Sequence, residues 1–173
     1  MNIVITGGAG FLGARLARTL LAQGSFSRNG AAAQPIRSVL LVDRAPAPAD
    51  LASDPRVHSL VGDLNALLTP GPQGVPAIPA GTDVVYHLAA AVSGECEADF
   101  DLGMRSNLAA TEALLAACRG LGTQPTVVFT SSLAVFGLVH DQPALPPPEV
   151  DPVHPPTAVR KKNAMTKNGP QSV

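Results

Sequence analysis

A run of glycines near the N terminus has the spacing of a phosphate-binding turn. The stretch Thr6–Gly13 follows a β-branched segment, precedes an amphipathic one and reads Thr-Gly-Gly-Ala-Gly-Phe-Leu-Gly. A pyrophosphate can approach backbone N–H groups there because no Cβ shields them, and the start of the next helix adds unpaired N–H groups and its positive dipole end. Gly7 and Gly10 are predicted to make this room, and Gly13 to let the helix pack on its strand. The plainer alternative is a turn without a ligand, but the strand–turn–helix context favours dinucleotide binding.

Two carboxylates follow later apolar segments. Asp43 ends the second segment, and it is predicted to accept hydrogen bonds from both adenosine ribose hydroxyls and to repel a 2′-phosphate. This predicts NAD as the cofactor rather than NADP, although Arg44 next to it could instead meet a phosphate. Asp63 follows the third segment and is expected to accept from the adenine amino group, with Leu64 against the ring. The alternatives are a solvated strand-end aspartate and an ordinary turn.

Small residues and hydroxyls follow the fourth and fifth apolar segments. Leu88, Ala89 and Ala90 are expected to let the chain pass beside the cofactor without a clash. His87 is expected to be a satisfied strand-end residue rather than a catalyst, its neutral ring bonded to a backbone carbonyl. Ser132 follows the fifth segment, at the edge where doubly wound sheets bind ligands, so its hydroxyl could meet a substrate hydroxyl or carbonyl.

The apolar segments alternate with helical patterns. Strands are predicted at 3–6, 39–43, 57–61, 83–88 and 126–130, helices at 11–23 and 100–119, and loops at 25–34 and 69–81. The first helix carries Leu12, Leu16 and Leu20 at helical spacing and should end at Gly24. The strands are continuously apolar, which indicates a parallel sheet covered on both faces. We predict a doubly wound α/β (Rossmann) fold with strand order 3-2-1-4-5.

Composition limits the class of protein. Of 173 residues, 46% are hydrophobic and 14% charged, which suits one domain with a sizeable core. The net charge of -1 gives no reason to expect nucleic acid or an anionic membrane as a partner, and the apolar runs are too short to span a bilayer. Cys96 and Cys118 lack metal-ligand spacing, so no metal site is expected. With no secretory leader recognised, these free thiols indicate the cytoplasm.

The last 36 residues differ from the rest. Eight of the 17 prolines and every lysine lie beyond Gly137, and no acidic residue follows Asp151. Such a segment cannot bury much apolar surface. We therefore predict a nucleotide-binding domain at 1–137 and an irregular, poorly ordered tail at 138–173.

These sites, in this order, resemble the extended short-chain dehydrogenase/reductase superfamily, the NAD-dependent epimerases and dehydratases. The stretch 92–108 resembles its D-erythronate dehydrogenase subfamily, which oxidises the C2 hydroxyl of a four-carbon sugar acid with NAD. The resemblance implies that Gly7, Gly10, Phe11, Leu12 and Gly13 hold the pyrophosphate turn, Asp43 the ribose, Asp63 and Leu64 the adenine side, and that Leu88, Ala89, Ala90 and Asn107 face the cofactor. It implies that Ser132 is the catalytic hydroxyl and that Ser93 lies near the substrate carboxylate.

The chain departs from the superfamily at the catalytic motif. The general acid/base of the superfamily is the tyrosine of Tyr-x-x-x-Lys, whereas the one tyrosine here, Tyr86, lies in a strand pattern. We therefore expect a truncated or frameshifted product with impaired oxidoreductase activity. A non-catalytic dinucleotide-binding module and a fragment of a sugar-nucleotide epimerase/dehydratase are the alternatives. The superfamily commonly dimerises through helices, so the helix at 100–119 is the candidate face of a homodimer.

Overall fold

Five parallel strands form the central sheet of the protein, which a computed structural model describes for residues 1–69, 74 and 76–132. The strands are β1 (Asn2–Thr6), β2 (Ser38–Asp43), β3 (Val57–Val61), β4 (Val84–His87) and β5 (Thr126–Phe129). Their order across the sheet is β3-β2-β1-β4-β5, which confirms the predicted Rossmann arrangement. In the centre, Ile5 pairs with Leu41 on one side and Tyr86 on the other.

The described helices cover both faces of this sheet. They are α1 (Phe11–Gln23), α2 (Ala49–Ala52), α3 (Leu64–Leu68), α4 (Ser93–Ala98), α5 (Phe100–Gly103), a π-helical segment (Met104–Ala109) and α6 (Ala110–Gly120). The predicted helix at 100–119 is therefore present but changes type along its length. A π turn holds an extra residue, so it rotates the next helical turns about their axis. Leu114 is fully buried, whereas Leu108 and Leu115 of the same predicted helix are about half exposed.

The core consists of two layers, one on each face of the sheet. Ile3 and Ile5 pack with α1, while Val4, which points to the other side, packs with Leu114 and Cys118 of α6. Successive side chains of a strand point to opposite faces, so a strand covered on both faces must be apolar throughout. This explains the apolar runs of β1, β2 and β4, whereas the prediction is wrong for the edge strand β3, which contains the exposed polar residues His58 and Ser59.

Helix α1 begins directly after the glycine turn and ends at Gly24. Gly24 has φ 68°, and its N–H donates to the Leu20 carbonyl at 3.0 Å, which confirms the predicted C-cap. Leu20 packs into the core, but Leu12 is 57% exposed, so the prediction that it belongs to the apolar stripe is wrong. Leu12 lies in the first turn of the helix.

Two segments predicted as plain loops contribute structure. Ser25–Phe26 and Gln34–Pro35 pair as a short antiparallel ladder within the predicted loop at 25–34. In the second predicted loop, Ala77 and Ile78 are buried and pack against the α6 side of the core. Apolar side chains in a proline-rich stretch can thus close a core edge without a regular element.

Residues Met1–Ser131 form one unit. The predicted boundary at Gly137 and the predicted tail lie outside the described residues and remain predictions. Within the described ranges, no helix has the length and hydrophobicity needed to cross a membrane.

The buried face of α6 provides a direct test of the core. We expect Leu114→Ala to lower the free energy of unfolding by about 2–5 kcal/mol, because it opens a cavity among fully buried side chains. The adjacent Leu115 is half exposed, so Leu115→Ala should change it by less than about 0.5 kcal/mol. Denaturant unfolding of both variants makes the comparison. Equal losses would contradict the observed orientation of α6.

Candidate functional site

The glycine turn brings three chain segments together at the carboxyl edge of the sheet. The N–H groups of Gly7 and Gly8 donate to the Val42 carbonyl at 2.9 and 3.4 Å. Gly7 has φ 69°, and a Cβ there would lie 2.9 Å from the Ala89 nitrogen, so only glycine fits. Gly7 thus seats the turn against the segment after β4, and the room for a ligand predicted at this glycine remains a prediction.

Gly8, Gly10 and Gly13 have different surroundings. A Cβ on Gly8 would lie 2.8 Å from the Ile5 carbonyl oxygen, so Gly8, which is not among the predicted site residues, is a packing glycine. A Cβ on Gly13 would overlap the Gly7 carbonyl oxygen, so Gly13 lets α1 pack on the turn. The prediction had been that it lets the helix pack on its strand. A Cβ on Gly10 would meet only that same oxygen, at 3.3 Å. The open space predicted for a ligand is therefore found above Gly10.

The start of α1 is available to a ligand. Among the described residues no side chain caps this helix, and its first turn carries no acidic residue. Phe11 is 80% exposed and does not cover the turn. The first N–H groups of a helix lack intrahelical partners and carry partial positive charge, so an anion is favoured here.

Asp43 lies beside this turn at the end of β2. Its Oδ2 accepts from the Ala9 N–H at 3.0 Å and its Oδ1 from the Ala45 N–H at 3.1 Å. A carboxylate has about four acceptor positions, so these two bonds fix its direction and leave capacity for hydroxyl donors. The carboxylate therefore faces the glycine turn, as a ribose ligand requires.

An open cleft of about 510 Å³ adjoins the turn. Eleven predicted cofactor residues line it: Gly7, Gly10, Phe11, Leu12, Gly13, Asp43, Asp63, Leu64, Leu88, Ala89 and Ala90. Further lining residues had no predicted role in the site, among them Val42, Asn65, Val92, Glu95, Leu102, Ser106 and Ala110. Most of these belong to short elements or to the irregular helix, which no periodic pattern in the sequence marks.

Asp63 has a structural role as well as a place in the cleft. Its Oδ1 accepts from the Asn65 N–H at 3.0 Å and caps α3. The Asn65 side chain in turn donates to the Arg105 carbonyl at 3.1 Å, which ties α3 to the π-helical segment. The second carboxylate oxygen of Asp63 is the one that could meet an adenine amino group.

Asn107 acts on the cleft through the backbone. Its Oδ1 accepts from the Ala91 N–H at 2.8 Å, and its Nδ2 donates to the Ala91 carbonyl at 3.0 Å. Asn107 is not among the lining residues, so the structure gives it a supporting position, and its predicted position facing the cofactor remains a prediction. It holds the lining strip Leu88–Ala91 at its far end.

The two serines predicted to meet substrate have less structural support. Ser93 is exposed at the start of α4 and is not among the residues lining the cleft. Ser132, exposed, is the last described residue, and residues 133–137, which carried its family spacing, lie outside the described ranges. Both roles remain predictions.

His87 and Tyr86 lie side by side in β4 and point to opposite faces. His87 is buried, and its ring bonds the hydroxyls of Thr6 and Thr111 instead of the predicted backbone carbonyl. Burial lowers the pKa of His87. Tyr86 packs against the α1 side of the core, where burial raises its pKa. Tyr86 is therefore not among the described residues that line the cleft.

Known proteins match this chain in sequence. D-erythronate dehydrogenase from Cupriavidus necator is 50% identical over 85% of the chain, and its namesake from Haemophilus influenzae is 41% identical over 79%. These alignments cover only 45% and 39% of the respective relatives, so the chain spans less than half the length of either.

Solved structures agree with the fold. The nucleoside-diphosphate-sugar epimerase from Agrobacterium tumefaciens superposes with a TM-score of 0.64 at 37% identity, over 79% of this chain and 38% of that one. MoeE5, solved with UDP-glucuronic acid and NAD, superposes with a TM-score of 0.59 at 29% identity, over 79% of this chain and 38% of that one. The sequence profile of the NAD dependent epimerase/dehydratase family matches residues 3–161. The chain therefore belongs to the NAD-dependent epimerase/dehydratase family.

Proposed function

We propose that the cleft beside the glycine turn binds NAD. The observation that carries this proposal is the uncapped start of α1 under the open face of Gly10, with the Asp43 carboxylate 3.0 Å from the Ala9 nitrogen. Positive backbone dipoles for a pyrophosphate and a directed carboxylate for a ribose thus lie next to each other. MoeE5, a relative in structure, was solved with NAD, which supports the same ligand here.

The lining residues suggest how each part of NAD is held. The N–H groups at the start of α1 bind the pyrophosphate, and Asp43 accepts from the adenosine ribose. Asp63 and Leu64 hold the adenine side, while Leu88, Ala89 and Ala90 pass beside the rest of the cofactor. NAD is favoured over NADP because the Asp43 charge repels a 2′-phosphate, although Arg44 also lines the cleft. When bound, NAD supplies a hydride acceptor.

The substrate we propose is a small sugar acid such as D-erythronate, oxidised at its C2 hydroxyl. The 50% identity to a D-erythronate dehydrogenase supports this over a nucleotide sugar, the substrate class suggested by the solved epimerases. In this proposal Ser132 orients the hydroxyl and Ser93 lies near the carboxylate. No residue of this chain is assigned the proton transfer, because Tyr-x-x-x-Lys does not occur in it.

A non-catalytic dinucleotide-binding module is the second candidate. The single tyrosine, Tyr86, is half-buried on the α1 side of the sheet, which favours this candidate, since binding needs only the cleft whereas turnover needs a proton acceptor.

The cytoplasmic location and a homodimer through the segment 100–119 also remain proposals. The exposed Phe100, Met104 and Leu108 support such a contact face.

A substitution at Gly10 tests ligand binding without disturbing the fold. Gly10→Ala should fold, because φ is -70° there and only one atom lies near the added Cβ. It should weaken NAD binding at least about tenfold, or about 1.4 kcal/mol, because the methyl group occupies the approach of the pyrophosphate. Calorimetry with NAD measures this. Gly120→Ala, with no atom near its Cβ at the far end of α6, is the matched control and should bind as wild type does. A folded Gly10→Ala variant with unchanged affinity would refute the proposed pyrophosphate position.

Asp43 tests the choice between NAD and NADP. Asp43→Asn keeps the shape of the side chain but removes its charge and one of the two oxygens that accept from the Ala9 and Ala45 N–H groups, so the preference for NAD should fall by about tenfold or more. Titration with both cofactors gives the ratio of dissociation constants. Asp50→Asn changes the net charge equally and is the control. Asp50 pairs with Arg18 at 2.6 Å, and neither residue lines the cleft, so the ratio of dissociation constants for NAD and NADP should not change in this variant. An unchanged ratio in Asp43→Asn would remove Asp43 from cofactor selection.

Turnover distinguishes the two candidate functions. With D-erythronate and NAD, we expect no NADH absorbance above the blank for this chain, because it lacks the tyrosine and lysine that move the proton. The Cupriavidus necator D-erythronate dehydrogenase, assayed in parallel, shows that the reagents work. Vigorous turnover by this chain would contradict the expectation and require another proton acceptor.

A further inference from the structure

A continuous run of hydrogen bonds passes through His87 on the α6 face of the sheet. Its Nδ1 lies 2.7 Å from the Thr6 hydroxyl on β1, and its Nε2 lies 3.1 Å from the Thr111 hydroxyl on α6. The Ala89 N–H donates to the Thr6 hydroxyl at 3.3 Å, and the Thr111 hydroxyl donates to the Asn107 carbonyl at 2.7 Å. One ring therefore connects the strand that leads into the glycine turn with the helix that carries Asn107.

The proton positions in this run are set by the partners. A hydroxyl has one proton, and that of Thr111 goes to the Asn107 carbonyl, so Thr111 can only accept from His87. Nε2 must then carry the ring proton, which leaves Nδ1 of the neutral ring as an acceptor. The Thr6 hydroxyl donates to Nδ1 and keeps a lone pair for the Ala89 N–H. One tautomer of a neutral imidazole thus satisfies every member of the run, namely the His87 ring, the two threonine hydroxyls, the Ala89 N–H and the Asn107 carbonyl.

The surroundings of the ring favour that neutral state. His87 is 2% exposed, and the Phe129 ring lies with its centre 5.7 Å away. Burial disfavours the charged form and lowers the pKa of His87. A protonated ring would offer a donor at Nδ1, and the Thr6 proton would lose its acceptor.

The cleft-lining strip Leu88–Ala91 is attached at two points to residues of this run. Ala89 is attached to Thr6, and Ala91 is attached twice to Asn107. The Ala89 nitrogen would be only 2.9 Å from a Cβ on Gly7, so the strip already touches the glycine turn and has little room to move. A shift of either threonine would therefore change the width of the cleft between the turn and Leu88–Ala91.

We propose that His87 is a positioning residue, whose neutral Nε2–H tautomer holds the strip Leu88–Ala91 at the distance from the glycine turn that NAD requires. This inference rests on the proposed binding of NAD. His87 does not line the cleft and acts through Thr6, Thr111 and Asn107.

The Thr111 hydroxyl offers the cleanest test. Thr111→Val keeps the branched shape and removes the acceptor of Nε2–H, so NAD binding should weaken about fivefold, the effect of one hydrogen bond. Thr111→Ser restores the hydroxyl and should recover the affinity. Thr19→Val is the matched control, because the Thr19 hydroxyl makes the same bond to the carbonyl four residues before it, at 3.1 Å on the exposed face of α1. Calorimetry with NAD, on variants shown to be folded, gives the affinities.

Two spectroscopic measurements report the positioning itself, with or without NAD. The ¹⁵N shifts of the His87 ring should show a proton on Nε2 and none on Nδ1 at neutral pH. Amide exchange at Ala89 and Ala91 should accelerate in Thr111→Val but not in Thr19→Val. If wild type fails to bind NAD, the proposed function fails, and the ring shifts and amide exchange still decide the positioning. An Nδ1–H tautomer, or unchanged exchange and affinity in a folded Thr111→Val variant, would overturn it.

Discussion

The close contact of backbones at Gly7 and Gly8 is the constraint on which the site depends. Here the end of β1 touches the Val42 carbonyl on one side and the Ala89 nitrogen on the other, with no space for a side chain. Since the turn leads directly from the end of β1 into α1, this helix starts at the carboxyl edge of the sheet. The cleft is the space left above this contact.

The electrostatic character of the cleft arises from the same geometry. Asp43 is held by the Ala9 and Ala45 N–H groups, so a negative charge lies beside the positive end of a helix. A ligand that binds both the positive helix end and the Asp43 carboxylate must carry an anionic group next to hydroxyl donors, as a ribose diphosphate does. The fold thus defines a class of ligand even though the chain contains no Tyr-x-x-x-Lys motif for turnover.

The sequence predicted those features that depend on local patterns. The apolar runs indicated the five strands, their alternation with helical patterns indicated the doubly wound fold and its strand order, and the glycine spacing indicated the turn and the start of α1. Features that depend on contacts between distant residues were missed or misassigned. Three features need partners 16 or more residues away: the packing of Gly7 and Gly8, the support of Ala91 by Asn107 and the bonding of His87 to two threonines. The π-helical segment also left no periodic signal, so the exposure of Leu108 could not be foreseen.

The central claim is that a dinucleotide diphosphate lies against the first N–H groups of α1. Backbone amide NMR during titration with NAD tests it most directly. We expect saturable shifts that are largest at the Phe11, Leu12 and Gly13 amides, accompanied by smaller shifts around Asp43. Shifts that leave these amides unchanged, or that cluster away from the glycine turn, would contradict it.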